Sequence, residues 1–202
     1  MGRYIGPRVR LMRREGVNLD LKRKFSLERR EAPPGQHGLK KGKLSNFGVQ
    51  LREKQKAKRF YGLLEKQFRN YFNKAAATKG ITGHLLLQAI ERRLDNVVYQ
   101  MGFALTRAQG RQIVTHGLIL LNGKQVDIPS IQVKAGEVIA FKNKPATTKY
   151  IKEVVEKNPG WVVPAWLEAD SEKLTGKVIR FPLRDEIKAP VNEQLIVELY
   201  SR

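Results

Sequence analysis

Two arginines on one predicted helix are the clearest candidates for chemistry in this sequence. Thr106 is a residue type that caps helices, and residues 107–116 follow it with helical periodicity. Arg107, Arg111 and Thr115 then share one face at i, i+4, i+8 spacing, with no acidic partner expected along it. Guanidinium groups match phosphate oxygens in geometry, and a hydroxyl donates a further hydrogen bond. The face is therefore predicted to bind a nucleic-acid backbone, with a solvated polar face as the alternative.

Metal and nucleophile chemistry have little support in the sequence. The chain has no cysteine, which excludes disulfides, thiolate metal sites and cysteine nucleophiles. Its three histidines, His37, His84 and His116, lack the short spacings of a metal site. We interpret them as loop or surface groups, and we expect no metal, no cofactor and no small-molecule substrate.

One short motif suggests catalysis. Arg93-Leu94-Asp95 is similar to the Arg-Leu-Asp around the catalytic aspartate of many pseudouridine synthases. Here the three residues lie inside an amphipathic helical pattern, and Asp95 is equally suited to cap a helix or to pair with Arg92. No Gly-rich phosphate loop, paired-carboxylate site or Ser/His arrangement occurs elsewhere. The sequence therefore predicts a protein that is not an enzyme.

The net charge favours a polyanionic partner. The 202 residues contain 39 Lys+Arg and 19 Asp+Glu, a formal net charge of +20, which attracts nucleic acid or an anionic membrane. Residues 1–60 carry +13, residues 61–150 carry +8 and residues 151–202 carry −1. No apolar run approaches the roughly 18 to 20 residues that span a bilayer, and the N-terminus lacks an apolar signal segment. We therefore expect a soluble, non-secreted protein that binds polyanions through its first three quarters.

The first 44 residues are predicted to form a basic, extended arm. Few apolar residues separate the basic ones, so this part cannot bury a core alone. In residues 33–38 (PPGQHG), proline fixes φ and glycine permits positive φ, so backbone N–H groups could approach phosphate closely. A disordered, solvated tail is the alternative.

The central sequence predicts an α+β fold. A helix follows Ser45 or Asn46, and another spans residues 63–79. Thr82 begins a third apolar stripe that runs to Met101. Residues 118–126 form a predicted hairpin around Asn122-Gly123, and 131–133 and 138–141 are predicted strands. The apolar face of the second helix, predicted to lie in the core, consists of Leu64, Phe68, Tyr71, Phe72 and Ala75.

Several motifs of this central part occur in an order that resembles a known RNA-binding module. They are residues 92–99 (RRLDNVVY), 106–112 (TRAQGRQ), 116–117 (HG) and 122–130 (NGKQVDIPS). This region is similar to the module named after ribosomal protein S-four, which is shared with pseudouridine synthases, a tyrosyl-tRNA synthetase and a heat-shock protein.

The flanking sequences resemble the bacterial-type small-subunit ribosomal protein S-four family over essentially the whole chain. The similar segments are residues 2–7 (GRYIGP), 13–16 (RREG), 34–38 (PGQHG), 51–56 (LREKQK), 67–70 (QFRN) and 191–202 (VNEQLIVELYSR). Some members carry a four-cysteine zinc site near the N-terminus. This chain has Val9 near the position of the first cysteine, so the resemblance is to a cysteine-free variant.

The resemblance implies a function and partners. It implies a structural constituent of the small ribosomal subunit that binds 16S rRNA at a multi-helix junction, helps nucleate assembly of the subunit body and contributes to translational accuracy. It further implies contact with small-subunit protein S-five and with mRNA at the channel where it enters the ribosome, without membrane contact. The ribosome would be cytoplasmic or organellar. The alternative function is a free regulatory RNA-binding protein that acts on mRNA or transcription.

The expected organisation is a mostly helical N-terminal domain with an inserted small α+β RNA-binding module, whose helices pack on a short, mostly antiparallel sheet, and a basic extended arm. The expected boundaries are 1–44 for the arm, 45–90 for the helical rRNA-binding region, 91–150 for the module and 151–202 for a segment that packs back on the helical domain. The predicted RNA contacts are Arg3, Arg8, Arg10, Arg13, Arg14, Arg29, Arg30, Gln36, His37, Lys54, Lys56, Lys58, Arg69, Arg92, Arg93, Arg107, Arg111, His116 and Lys124.

Overall fold

A computed structural model describes residues 4–19, 32–38 and 42–201. The chain forms two compact units, unit 1 (residues 1–86 and 188–202) and unit 2 (residues 87–187). Unit 2 therefore interrupts unit 1 in sequence. The segment 151–202, which sequence analysis treats as one piece, is divided between them: residues 151–187 belong to unit 2 and residues 188–202 to unit 1.

Unit 1 is helical. It contains α1 (Arg8–Glu15), α2 (Asn46–Phe60), α3 (Glu65–Ala76), the start of α4 (Thr82–Glu91) and α8 (Glu193–Tyr200). The predicted start of α2 is confirmed, because the Ser45 side chain accepts a hydrogen bond from the Gly48 N–H at 3.2 Å. Helix α1 lies within the predicted extended arm and was not expected. The Met12 side chain is completely buried, which gives this basic helix an apolar anchor.

The core of unit 1 confirms most of the apolar face predicted for α3. Phe68, Tyr71, Phe72 and Ala75 are buried, whereas Leu64 is exposed. The Tyr200 ring of α8 stacks on the Phe72 ring, with centroids 4.5 Å apart and planes at 26°. Burial of these aromatic surfaces is a large part of what attaches α8 to the helical unit.

Unit 2 is a five-stranded antiparallel sheet with helices α5 (Leu94–Gln100), α6 (Arg107–Thr115) and α7 (Pro145–Glu156). Its strand order is β2-β1-β3-β5-β4, and the α+β prediction is confirmed. Asn122 and Gly123 have φ values of 49° and 80°, as the tight turn between the first two strands requires. The strands are β1 (Ile119–Leu121), β2 (Lys124–Val126), β3 (Val138–Phe141), β4 (Leu167–Asp170) and β5 (Thr175–Val178).

One long predicted helix is instead two. The apolar stripe from Thr82 to Met101 is interrupted between α4 and α5, where Arg93 forms an isolated antiparallel bridge with Gln132. Backbone hydrogen bonds flank the bridge: the Leu94 N–H donates to the Ile131 carbonyl at 2.8 Å, and the Val133 N–H donates to the Arg92 carbonyl at 2.9 Å. The predicted strand over residues 131–133 is therefore a single bridge that fixes the start of α5.

The core of unit 2 is built from α5, α6, α7 and the inner face of the sheet. The Phe103 and Phe141 rings meet edge to face, with centroids 5.1 Å apart. Within residues 4–19, 32–38 and 42–201, no helix has the length and apolar character needed to cross a bilayer. The fully buried side chains of this core include Leu94, Val97, Val98, Phe103, Ile113, Ile119, Ile139 and Ile151.

Candidate RNA interface

The two arginines of α6 owe their position to a close approach between α5 and α6. Thr106 caps α6 as predicted, because its side chain accepts a hydrogen bond from the Gln109 N–H at 3.2 Å. Gly110 permits the approach, since a Cβ at this position would lie 2.6 Å from the Asp95 carbonyl oxygen. The close packing of the two helices brings Arg107 and Arg111 to polar side chains at the start of α5.

Arg111 is paired with an acid, so the prediction of a face without acidic partners is wrong. Its Nη1 donates to the Asp95 carboxylate at 3.2 Å. The same carboxylate accepts from Arg93 Nε at 3.0 Å and Nη2 at 2.6 Å. Asp95 is therefore a shared counter-ion for two arginines. The suggested pair between Asp95 and Arg92 is not the one that forms.

Arg107 is held by a neutral partner and an aromatic ring. Its Nε donates to Asn96 Oδ1 at 2.8 Å, and its guanidinium carbon lies 4.6 Å from the centroid of the Tyr99 ring. A guanidinium over an aromatic face is attracted by the ring quadrupole. Both α6 arginines are partly exposed and are oriented by α5.

Arg93 has to be removed from the predicted RNA contacts. It is 1% exposed and its guanidinium faces Asp95, so it offers no surface to a phosphate. Arg92 remains partly exposed; its Nε donates to the Val133 carbonyl at 3.0 Å, and its guanidinium lies 3.8 Å from the Phe181 ring centroid. Partial burial lowers the pKa of Arg92, and the Glu137 carboxylate opposes that change.

Two further predicted contacts lie at neighbouring ends of α6 and the first hairpin. His116 follows α6 and Lys124 begins β2; both are exposed. Gly117 lies beside the hairpin, because a Cβ there would be 2.6 Å from Gln125 Nε2. Unit 2 thus brings His116 and Lys124 into one local region.

The basic residues of α2 pair with acids from its own and from neighbouring helices. Lys54 and Lys58 contact the two Glu65 oxygens at 2.7 Å and 3.0 Å, and Lys56 pairs with Glu53. Although partial burial raises the pKa of Glu65, hydrogen bonds from Lys54, Lys58 and Tyr200 bring it to about 2. These three lysines remain proposed RNA contacts, but part of their charge is already balanced within unit 1.

Helix α1 and the turn over residues 33–38 contact each other. Arg13 Nε donates to the Ala32 carbonyl at 3.0 Å, and Arg14 Nη2 donates to the Pro34 carbonyl at 3.2 Å. Gly35 has φ 112°, and the Gly38 N–H donates back to its carbonyl at 3.2 Å. These arginines therefore help to shape the turn that sequence analysis predicts to approach phosphate.

The remaining predicted contacts differ in their exposure, and the structure describes only some of them. Arg8 is partly buried, whereas Arg10, Gln36, His37 and Arg69 are exposed. In the part of the chain that the structure describes, no group of three or more His, Asp or Glu side chains is arranged to hold a metal ion. Three predicted contacts lie outside the described residues: Arg3, Arg29 and Arg30.

Sequence reasoning missed the residues that orient the α6 arginines. Asp95, Asn96 and Tyr99 are 8 to 16 positions before their arginine partners in the chain and lie on a different helix, so periodicity within one helix could not reveal these contacts. Their one signal is that Asp95 and Asn96 are polar residues within an otherwise apolar stripe. Both are buried, and buried polar side chains need partners.

The small α+β unit, in which α5 orients the two arginines of α6, belongs to a known class of RNA-binding domain, the S4 domain. Residues 92–139 match the S4 domain, and residues 3–91 match the ribosomal protein S4/S9 N-terminal domain. Full-length relatives are each described as a small ribosomal subunit protein: uS4 of Trichlorobacter lovleyi (52% identical), uS4 of Dictyoglomus turgidum (54%) and uS4A of Clostridium novyi (55%), each covering 100% of both chains. The chain therefore belongs to the uS4 family of small ribosomal subunit proteins, which confirms the resemblance found in the sequence.

Proposed function

We propose that this chain is a primary 16S rRNA-binding protein of the small ribosomal subunit. Membership of the uS4 family makes it a structural constituent of that subunit and an RNA-binding protein. The observation that carries the finer proposal is the pair Arg107 and Arg111, which α5 holds in fixed orientations on a partly exposed face of unit 2.

The proposed mechanism is recognition of RNA shape through its phosphates. A-form RNA hides its base edges in a deep, narrow major groove, so double-stranded regions are read mainly through backbone geometry. Planar guanidinium groups suit that task because they bind phosphate oxygens in a defined direction. The exposed groups Arg69, His116 and Lys124 add positive or polar surface within their own units. We expect binding to weaken steeply with salt, because each phosphate contact releases counter-ions.

The finer roles that we propose are those that membership of the family suggests. We propose that the chain binds a multi-helix junction in the body of the subunit, helps nucleate its assembly and contributes to translational accuracy. The near-neutral residues 151–202 suit protein contact better than RNA contact, and it is the family membership that suggests small-subunit protein S-five as the partner. Contact with mRNA where it enters the ribosome is a further part of this proposal, supported by membership of the family.

The test replaces Arg107 and Arg111 together with alanine and measures binding of the full chain to 16S rRNA over a salt titration. For the unchanged protein, the plot of log K against log salt should have a slope matching about 6 to 10 phosphates. The double variant should bind more weakly, with a slope smaller by about two. A matched control removes two exposed lysines of the near-neutral region, Lys157 and Lys173, and should bind almost unchanged. Equal affinity of the arginine variant and the unchanged protein would exclude α6 from the interface.

Sedimentation distinguishes the proposal from a free regulatory RNA-binding protein. A ribosomal constituent should remain at one copy per small subunit in sucrose gradients at high salt. A protein that acts on mRNA or transcription away from the ribosome would instead stay at the top of the gradient.

A further inference from the structure

A chain of buried polar side chains lies behind Arg107. Glu91 ends α4 and Asn96 lies in α5, and they are 2% and 3% exposed. The Asn96 amide nitrogen donates to the Glu91 backbone carbonyl at 3.0 Å and also to the Glu91 carboxylate. On its other side, Asn96 Oδ1 accepts from Arg107 Nε at 2.8 Å. The contacts form a continuous path from a buried acid to a partly exposed arginine.

The acceptors on Glu91 fix the direction of the Asn96 amide. A carbonyl and an ionised carboxylate can only accept hydrogen bonds, so the NH2 end of Asn96 must face Glu91. The carbonyl end must then face Arg107. Gln100 Nε2 donates to the same Glu91 carboxylate oxygen at 3.2 Å, which restrains the acid. Arg107 therefore meets an acceptor that cannot turn away.

We propose that Asn96 is a positioning residue for rRNA binding, which acts by fixing the plane of the Arg107 guanidinium before RNA arrives. The inference rests on the proposed function, because it takes the α6 face as the surface that meets rRNA. An arginine side chain has many rotamers, and ordering one at an interface opposes binding. The Asn96 carbonyl and the Tyr99 ring already order the Arg107 side chain when the protein folds. RNA binding then does not have to order it.

The position of Glu91 indicates that this arrangement orients the arginines and does not increase the positive charge of the surface. A surface that attracted RNA by charge alone would gain from having no carboxylate near its arginines. Here a buried carboxylate lies one side chain away from Arg107, and Asp95 contacts Arg111 directly. Both acids lower the local positive potential that RNA meets. Asp95 directly, and Glu91 through Asn96, fix the directions of the Arg111 and Arg107 guanidinium groups.

The experiment is a double-mutant cycle on the affinity of the full chain for 16S rRNA. It compares the unchanged protein, Asn96→Ala, Arg107→Ala and the double variant at one salt concentration. Asn96→Ala should weaken binding about tenfold when Arg107 is present, equivalent to about 1.4 kcal/mol. In the Arg107→Ala background it should change affinity less than about twofold, because a residue that acts through another loses its effect when that other is gone.

Asn158→Ala is the matched control for loss of a buried asparagine. Asn158 is also a buried residue of unit 2, and its amide donates to the Gly102 carbonyl at 3.3 Å. Its replacement should lower the free energy of unfolding, measured in urea, with less than about a twofold change in RNA affinity. Circular dichroism establishes for each variant that the protein is folded under the binding conditions.

The outcomes separate this inference from the proposed function. If Arg107→Ala weakens binding and Asn96→Ala weakens it equally in both backgrounds, the positioning role is wrong and the α6 interface stands. If Asn158→Ala weakens binding as much as Asn96→Ala, the effect is a general loss of folding and the positioning role is again wrong. If Arg107→Ala leaves affinity and salt slope unchanged, Arg107 is not an RNA contact, and the proposed interface loses this residue as well.

Discussion

Helix α2 of unit 1 and helix α6 of unit 2 are both basic, yet their cations have different partners. In α2, the partners of Lys54, Lys58 and Lys56 are Glu65, at the start of α3, and Glu53, within α2 itself. Arg52 and Arg59 contact Glu15 of α1. These pairs largely join one helix to another. In α6, both arginines donate hydrogen bonds to side chains of α5.

The difference shows that the number of positive charges does not identify an RNA interface. Both helices contribute to the excess of basic residues in the first 150 positions. The α2 cations also stabilise the packing of unit 1, so their removal would change folding and RNA binding together. The α6 arginines are fixed by the buried side chains of Asp95 and Asn96, whereas Glu65, the partner of Lys54 and Lys58, is 45% exposed.

Asp95→Asn should cause the largest loss of stability. The substitution keeps the size of the side chain but removes the charge that Arg93 and Arg111 share. Arg93 is almost fully buried, and loss of the carboxylate partner of a buried charge costs about 3–5 kcal/mol. Urea unfolding at neutral pH measures the change.

An exposed aspartate of the same unit provides the control for Asp95. Asp127→Asn should change the free energy of unfolding by less than about 0.5 kcal/mol. If the two variants were equally stable, Asp95 would not be the counter-ion on which the orientation of the α6 arginines depends.

The same glycine-to-alanine change should have opposite effects in the two helices. At Gly110 of α6, a Cβ would lie 2.6 Å from the Asp95 carbonyl oxygen, so α5 and α6 must separate, at a cost of about 1–3 kcal/mol. At Gly48 of α2, the nearest atom would be Ser45 Oγ at 3.4 Å. Alanine there should stabilise unit 1 by about 0.4–1 kcal/mol, because it restricts the unfolded chain.

Thermal and urea unfolding of the two alanine variants provide the measurement. The Gly110 variant should also bind rRNA more weakly, since it displaces both arginines from their partners. Stabilisation by alanine at both positions would show that α5 and α6 are not in the close contact on which the site depends.

Local signals in the sequence were sufficient to predict several parts of the fold. Thr106 caps α6 through its own side chain, and Asn122-Gly123 supplies the positive φ values of a tight hairpin. The aromatic spacing of α3 indicated its buried face. Each of these depends on residues within a few positions of one another, where periodicity and turn chemistry carry the information.

The parts that sequence reasoning missed depend on distant contacts. The break between α4 and α5 is set by the bridge from Arg93 to Gln132, 39 residues later. Strands β4 and β5 are four residues each and include charged and glycine positions. An alternation of apolar and polar residues therefore could not reveal them. The pair between Asp95 and Arg111 exists only because Gly110 lets two helices approach. Charge counting assigned Arg93 to the surface, although a buried carboxylate compensates it.

The smallest expected effect concerns Glu65 and the lysines of α2. Because the pKa of Glu65 is lowered from 4.5 to about 2, the folded state favours its ionised form more than the unfolded state does. Its contribution to stability is therefore complete above pH 4.5 and is lost as the pH falls from 4.5 towards 2. Since the Glu65 side chain is 45% exposed, solvent screening limits the contribution to about 1 kcal/mol. Glu65→Gln should remove it at neutral pH and flatten the pH dependence of urea unfolding between pH 4.5 and 2. The same variant frees Lys54 and Lys58 from an acid, so rRNA affinity should rise slightly; a fall in affinity would mean that this ion pair orients α2 for RNA, as α5 orients α6.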